Sequence, residues 1–295
     1  MEVHQLRYAL AVADEHSFTA AANLLHVSQS GVSAQVALLE RELGLTLFDR
    51  SARGVRVTQA GEPVLDQLRR ALTELDRVRT VADDLNGLVR GTVSIGAVAG
   101  LGWPAFLDAL QQVHRTHPGL ELSLREGKSI ELQEDVAAGR LDLAVASWVD
   151  RPREGLGSWV ALEERVIAAV GTEHPWAGRS RITPADLLDQ PVVGLAPGTG
   201  MRSSYDAMMR AEGLPAPVSW EVTLPTTARA LAARGLGVAI LTSSRADLPT
   251  DLVRLKINSR HATSRLGVVW RTRPAPSAGA RATLEAFREH LSAGS

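Results

Sequence analysis

Apolar residues recur at helical spacing through the first third of the chain and give way to strand-like runs after it. Leu6, Ala9, Leu10 and Val12 mark one face of a helix over residues 3–15. Ser17 then precedes Phe18-Thr19-Ala20-Ala21-Ala22-Asn23-Leu24-Leu25, where its hydroxyl can accept from the first free amides of a second, alanine-rich helix. After His26-Val27, Ser28 can cap a third helix whose Val32, Val36, Leu39 and Leu43 form one stripe, and Gly44 follows as its terminating residue. Two short helices joined by a tight turn, with alanines where they cross, predict a helix-turn-helix. The third helix buries its Val/Leu stripe and presents Gln29, Ser30, Ser33 and Gln35, residue types that pair with base edges. A plain helical domain with solvated polar residues shows the same periodicity.

Leu45-Thr46-Leu47-Phe48 and Val55-Arg56-Val57-Thr58 alternate like two short strands around Asp49-Arg50-Ser51-Ala52-Arg53-Gly54. They predict a wing carrying Arg50, Arg53 and Arg56. From Thr58 to about Asn86 the pattern is one long helix, with Leu65, Leu68, Leu72, Leu75, Val78, Ala82 and Leu85 at three- and four-residue steps. A seam of that length is not left in water, and it predicts pairing with a second helix. Packing on the chain's own second domain is the other outcome. The Asn86-Gly87 and Arg90-Gly91 pairs mark the expected hinge.

Beyond Thr92 strands and helices alternate. Residues 92–98, 120–124, 141–146 and 165–170 read as strands, with helices at 104–116 and 129–139 between the first three. A second set follows: strands at 192–195, 218–222 and 237–241, with helices near 202–212 and 226–234. The strand 266–271 and a last helix, 277–292, can return to the first sheet. Such alternation predicts right-handed crossovers and mostly parallel sheet in an α/β fold.

Composition narrows the function. The 295 residues suit about two domains, and 45% hydrophobic with 22% charged residues is ordinary for a globular chain. No run approaches a membrane span and no signal-peptide pattern opens the chain, so a cytoplasmic location without membrane association is expected. Zero cysteines remove disulfides, thiolate metal sites and thiol chemistry together. A net charge of −1 gives no global signature of nucleic-acid binding. Residues 1–90 hold 10 basic and 12 acidic side chains, so any DNA site is local, with its cations at Arg50, Arg53 and Arg56. From Ser17 to Leu39 there is no charged Asp, Glu, Lys or Arg, and phosphate contact there falls to hydroxyls such as Ser17, Thr19 and Ser28 and to helix N-termini.

The order of the residues is specific. Phe18-Thr19-Ala20-Ala21-Ala22, Leu25-His26-Val27-Ser28-Gln29, Val32-Ser33, Leu38-Leu39-Glu40, Leu43-Gly44, Leu47-Phe48-Asp49-Arg50 and Thr58-Gln59-Ala60-Gly61 together resemble the DNA-binding domain of LysR-type transcriptional regulators. The later motifs His117-Pro118-Gly119-Leu120-Glu121-Leu122, Glu126-Gly127, Ala138-Gly139-Arg140-Leu141-Asp142-Leu143-Ala144 and Arg234-Gly235-Leu236-Gly237-Val238-Ala239 resemble the two-lobe, periplasmic-binding-protein-like effector domain of the same family. The resemblance implies a winged helix-turn-helix over 1–60, a dimerising linker helix over 61–90 and an effector domain over 91–295. Lobe I would take about 91–161 and 266–295, and lobe II about 162–265. It also implies double-stranded promoter DNA and a small-molecule effector as partners, no cofactor, and a homodimer assembling to a homotetramer. The chain departs from the family at Ser30 and Ala34, where proline and arginine are common. Loss of the arginine bears on operator affinity, and a small-molecule binding protein with weak or lost DNA contact is the alternative. Without cysteine a thiol-based peroxide sensor is excluded.

In such a fold the ligand sits beyond the strand ends, between the lobes. The expected contacts are Ala99-Gly100-Leu101, Lys128-Ser129, Ser147-Trp148, Thr199-Gly200-Met201-Arg202 and Pro225-Thr226. Ser129 and Thr199 offer hydroxyls, Lys128 and Arg202 offer cations, and Trp148 and Met201 offer apolar surface. With Ala and Gly after the first strand, few donors are available there, which favours an effector with apolar or aromatic surface. The eight histidines show no metal spacing, and no nucleophile elbow, zinc-protease helix or dinucleotide loop occurs. An enzyme is not expected.

Overall fold

The computed structural model describes residues 1–51, 54–85, 89–243 and 249–292, without the side chains of 50, 51, 76, 77, 79–81, 83–85 and 292. Arg53 and the Asn86-Gly87 pair lie outside the described residues, as do the side chains of Arg50 and Leu85. The chain divides into two compact units, 1–86 and 87–295.

The first unit opens with α1 (Val3–Glu15), α2 (Phe18–Leu24) and α3 (Gln29–Leu43). Both caps form: Ser17 Oγ accepts from the Ala20 amide and Ser28 Oγ from the Gly31 amide. Gly44 ends α3 in the left-handed conformation, φ 66°, which glycine adopts without steric cost. Val32, Val36 and Leu39 are buried with Phe18, Ala21 and Ala22 against α1. β1 (Phe48–Ser51) and β2 (Gly54–Val57) form an antiparallel hairpin, followed by α4 (Gly61–Leu85).

The wing is therefore shorter than the sequence pattern suggests. Leu45 and Leu47 alternate like strand residues, yet they form the connection, Leu47 plugging the core. Glu40 fixes this turn: its Oε1 accepts from the amides of Leu47 (2.7 Å) and Phe48 (3.1 Å). Glu40→Ala strands two amides, and a loss of about 1–3 kcal/mol in the stability of this unit is expected. Urea denaturation of the full chain, followed by a probe in this unit, measures it.

The second unit comprises β3 (Gly91–Val98), α5 (Pro104–Thr116), β4 (Leu120–Gly127), α6 (Ser129–Ala138), β5 (Leu143–Trp148), β6 (Leu156–Gly171), β7 (Arg181–Ile182), β8 (Val192–Leu195), α7 (Gly200–Ala211), β9 (Trp220–Val222), α8 (Pro225–Ala233), β10 (Val238–Thr242), β11 (Leu252–Ile257), β12 (Thr263–Arg271) and α9 (Ala278–Ser292). The strand order is β4-β3-β5-β12-β6-β10-β8-β9, with β11 on β6 and β7 on β11. Pairing is parallel for β3 with β4 and β5, and for β8 with β9 and β10. The strands β6 and β12 are antiparallel to their neighbours.

The 16-residue β6 joins the lobes. Its residues 156–165 pair with β12 in lobe I, and 166–171 pair with β10 and β11 in lobe II. Each lobe has its own core: Ile95, Leu143, Val145, Val268 and Phe287 in the first, Leu187, Tyr205, Met208, Ile240 and Leu255 in the second. Burial lifts the Tyr205 phenol to about 12, so it stays protonated and donates to the Pro217 carbonyl at 3.0 Å. Asp142 ties β3 to β5, its carboxylate accepting from the Ser94 amide at 2.8 Å, which gives it a structural task.

Candidate nucleic-acid interface and effector cleft

At the start of α3, Gln29 and Ser30 are exposed while the opposite face of the helix is fixed in the core. The Ser28 hydroxyl is committed to its cap and also lies 3.4 Å from Ser30 Oγ. Thr19 is exposed and Ser33 half-buried. Gln35 departs from the expectation of a base reader: it leans on α1, its Oε1 accepting from Gln5 Nε2 at 3.1 Å and meeting His4 Nε2 at 3.2 Å.

Arg56 is exposed on β2, but Asp49 is its ladder partner, and it shares a depression with Asp14, Glu62 and Asp66. The Asp49 carboxylate opposite it offsets part of its field toward a phosphate, while Asp14 (2.6 Å) and Asp66 (3.5 Å) are held by Arg69. On α4, Leu65 and Leu68 belong to the core of the first unit and Leu72 packs against that core. Leu65 and Leu68 are thereby committed to the head, while half-buried Leu72 only leans on it. Leu75 (44% exposed), Val78 (67%) and Ala82 remain on the surface.

In the second unit a narrow cleft of about 40 Å³ lies between the lobes at the strand ends. Eight of the expected positions line it: Ala99, Lys128, Ser129, Ser147, Thr199, Gly200, Met201 and Pro225. The others do not. Leu101, in the loop after β3, and Trp148, the last residue of β5, are instead buried in the lobe I core. Gly100 and Thr226 are exposed outside the wall. Arg202 turns away to Asp206 (2.9 Å), Glu221 (3.5 Å) and the Leu195 carbonyl (3.3 Å). Without Trp148 the aromatic surface expected of the pocket is absent from its described wall.

Glu164, Thr242 and Ser264 also line the cleft, at the crossing of β6 from one lobe to the other. Glu164 opposes Ser264, and Thr242 opposes Val166, two residues on. Only long-range pairing brings 164, 242 and 264 together, so no local pattern marks them.

Residues 3–62 match the family described as bacterial regulatory helix-turn-helix protein, lysR family, and residues 86–292 match the LysR substrate binding domain. The chain belongs to the LysR family. Among its relatives, the uncharacterised HTH-type transcriptional regulator YnfL of Escherichia coli K12 is 31% identical over 295 residues, covering 99% of this chain and 98% of YnfL. The hydrogen peroxide-inducible genes activator of Pectobacterium carotovorum is 30% identical over 241 residues, 82% of this chain and 80% of that protein. A cysteine-to-aspartate variant of full-length OxyR from Pseudomonas aeruginosa superposes with a TM-score of 0.72 at 25% identity, covering 99% of this chain and 94% of that one.

This LysR-family chain is a DNA-binding transcriptional regulator with an effector-binding domain, and not an enzyme. Among the described residues no helix is long and apolar enough to cross a membrane, and no acidic, histidine or cysteine cluster is placed to hold a metal.

Proposed function

We propose that this regulator binds paired half-sites on double-stranded promoter DNA in the cytoplasm, as a homodimer assembling to a homotetramer. A small molecule held reversibly in the cleft sets the relative closure of the lobes and thereby the spacing of the DNA-binding heads. The observation that carries the reading is α3 itself. Val32, Val36 and Leu39 anchor it in the core, while Gln29 and Ser30 project from its first turn. That is the geometry by which a recognition helix presents its N-terminal residues to base edges. Thr19 and the free amides at the start of α3 suit phosphate oxygens. Arg56 contributes less than its charge suggests, given Asp49, and Arg50 and Arg53 are kept as phosphate contacts from the sequence alone.

Relatives bear the name of hydrogen peroxide-inducible activators. With zero cysteines this chain has no thiol to oxidise, which favours reversible effector binding. Gln29→Ala is expected to lower the preference for operator over random DNA by about 1–3 kcal/mol. A competition assay at fixed salt measures the ratio, and an unchanged ratio removes Gln29 from base readout.

A further inference from the structure

At the α6 end of the cleft the lobes already meet. The Ile130 amide of lobe I, in the first turn of α6, donates to the Gly198 carbonyl of lobe II at 3.2 Å. Glycines permit the approach: a Cβ on Gly198 would stand 3.3 Å from Lys128 Cδ, and one on Gly200 only 2.1 Å from Ser147 Cβ. A helix start ordinarily suits an anion, but here an oxygen of the other lobe takes the amide. Lys128, the cation of the wall, is offset by Glu131 at 3.5 Å. The space left between the lobes, about 40 Å³, has room for about three water-sized groups.

At the strand crossing one polar atom is left over. Thr242, the last residue of β10, is 1% exposed, and its Oγ1 has no hydrogen-bond partner. Buried hydroxyls are rarely left unpaired, and one that lines a cleft calls for an atom of whatever fills it. Glu164 lines the same cleft and already has an interaction partner, so what the crossing leaves over is a neutral hydroxyl. Such a group both donates and accepts, and it pairs with an uncharged oxygen without the desolvation cost that an ion meets in so small a space. Val98, Leu195, Met201 and Pro225 make the apolar part of the wall.

We propose that the effector is a small uncharged molecule, of the size and kind of a short-chain alcohol or amide, whose oxygen pairs with Thr242 Oγ1 while its carbon part rests on the apolar wall. The proposal rests on the reading that the cleft holds the effector. It adds that effector's charge, its size and the atom that anchors it.

The test titrates the full chain with three probes of nearly equal size, propan-1-ol, propylammonium and propionate, at constant ionic strength, by ligand-observed saturation-transfer NMR. Wild type, Thr242→Val and Thr242→Ser are compared. Saturable propanol binding is expected in wild type and in Thr242→Ser, with both ions bound more weakly. In Thr242→Val it is expected to weaken by about two- to tenfold, the worth of one uncharged hydrogen bond. Thr242→Val is also expected to melt no lower than wild type, since it removes an unpaired hydroxyl. A lower melting temperature would give that hydroxyl a structural partner and remove the observation behind the proposal. Tighter binding of either ion overturns the uncharged class, and propanol binding that is unchanged in Thr242→Val overturns the anchor. Thermal shifts with fractionated cell extract separate the two readings: stabilisation by a fraction without propanol binding sinks the uncharged class alone, whereas no stabilisation by any fraction counts against an effector in the cleft.

Discussion

Val78→Glu is expected to convert the regulator to a monomer and to weaken operator binding by about 10²–10⁴-fold, the avidity lost when two heads no longer act together. The seam on α4 is divided in its work. Leu65 and Leu68 are buried in the core of the first unit, so a charge at either unfolds the head and says nothing about pairing. Val78 is 67% exposed, and with Leu75 three residues before it continues the apolar stripe beyond the part the head uses. A stripe left over by the head's own packing is what a second helix covers. Multi-angle light scattering of the variant measures the mass directly, with circular dichroism confirming that the helices remain. An unchanged oligomer would mean that the subunits associate through another surface.

Gly200→Ala is expected to hold the lobes apart. The added methyl would meet Ser147 Cβ at 2.1 Å, its Oγ at 2.6 Å and Ser129 Oγ at 3.3 Å. Relief requires α7 to retreat from β5, which breaks the bond from Ile130 to Gly198. Overpacking of this kind costs about 1–3 kcal/mol, and for a unit of this size each kcal/mol lowers the melting temperature by about 2–4 °C. Calorimetry of the full chain reads the shift. The expected functional consequence is larger: a clamshell that does not close gives the same operator footprint with and without a stabilising extract fraction. Ser147→Gly in the same chain removes the obstructing side chain and is expected to restore both readouts, a coupling that independent destabilisation would not show. If Gly200→Ala leaves melting and footprint as in wild type, the contact between the lobes does not form in solution.

Local chemistry made much of this legible. Ser17, Ser28 and Gly44 mark helix ends by side-chain capping and left-handed backbone, both properties of single residues. The loops after β3, β5 and β8 follow from the resemblance to a two-lobe domain together with topology, since ligands in open α/β sheets gather at strand ends. The first half of β6 was not visible: Gly157-Ser158-Trp159-Val160 has no clean alternation, because the strand crosses between lobes and changes partners. β11 is hidden for a related reason, being a six-residue element whose register is set by β6. The same long-range pairing hid Glu164, Thr242 and Ser264. In the head, Leu45 and Leu47 imitated a strand because periodicity reports burial without reporting which backbone amides are already bound, here by Glu40. The count of arginines on the wing likewise did not show that Asp49 faces Arg56.

Whether α3 of this LysR-family regulator reads DNA sequence from its first turn is decided by sequencing genomic fragments captured by the purified full chain, beside the Gln29→Ala variant. A small set of enriched sites is expected in wild type, each with two related half-sites one or more helical turns apart, with loss of that enrichment in the variant. Fragments recovered in proportion to their abundance by both proteins would contradict it.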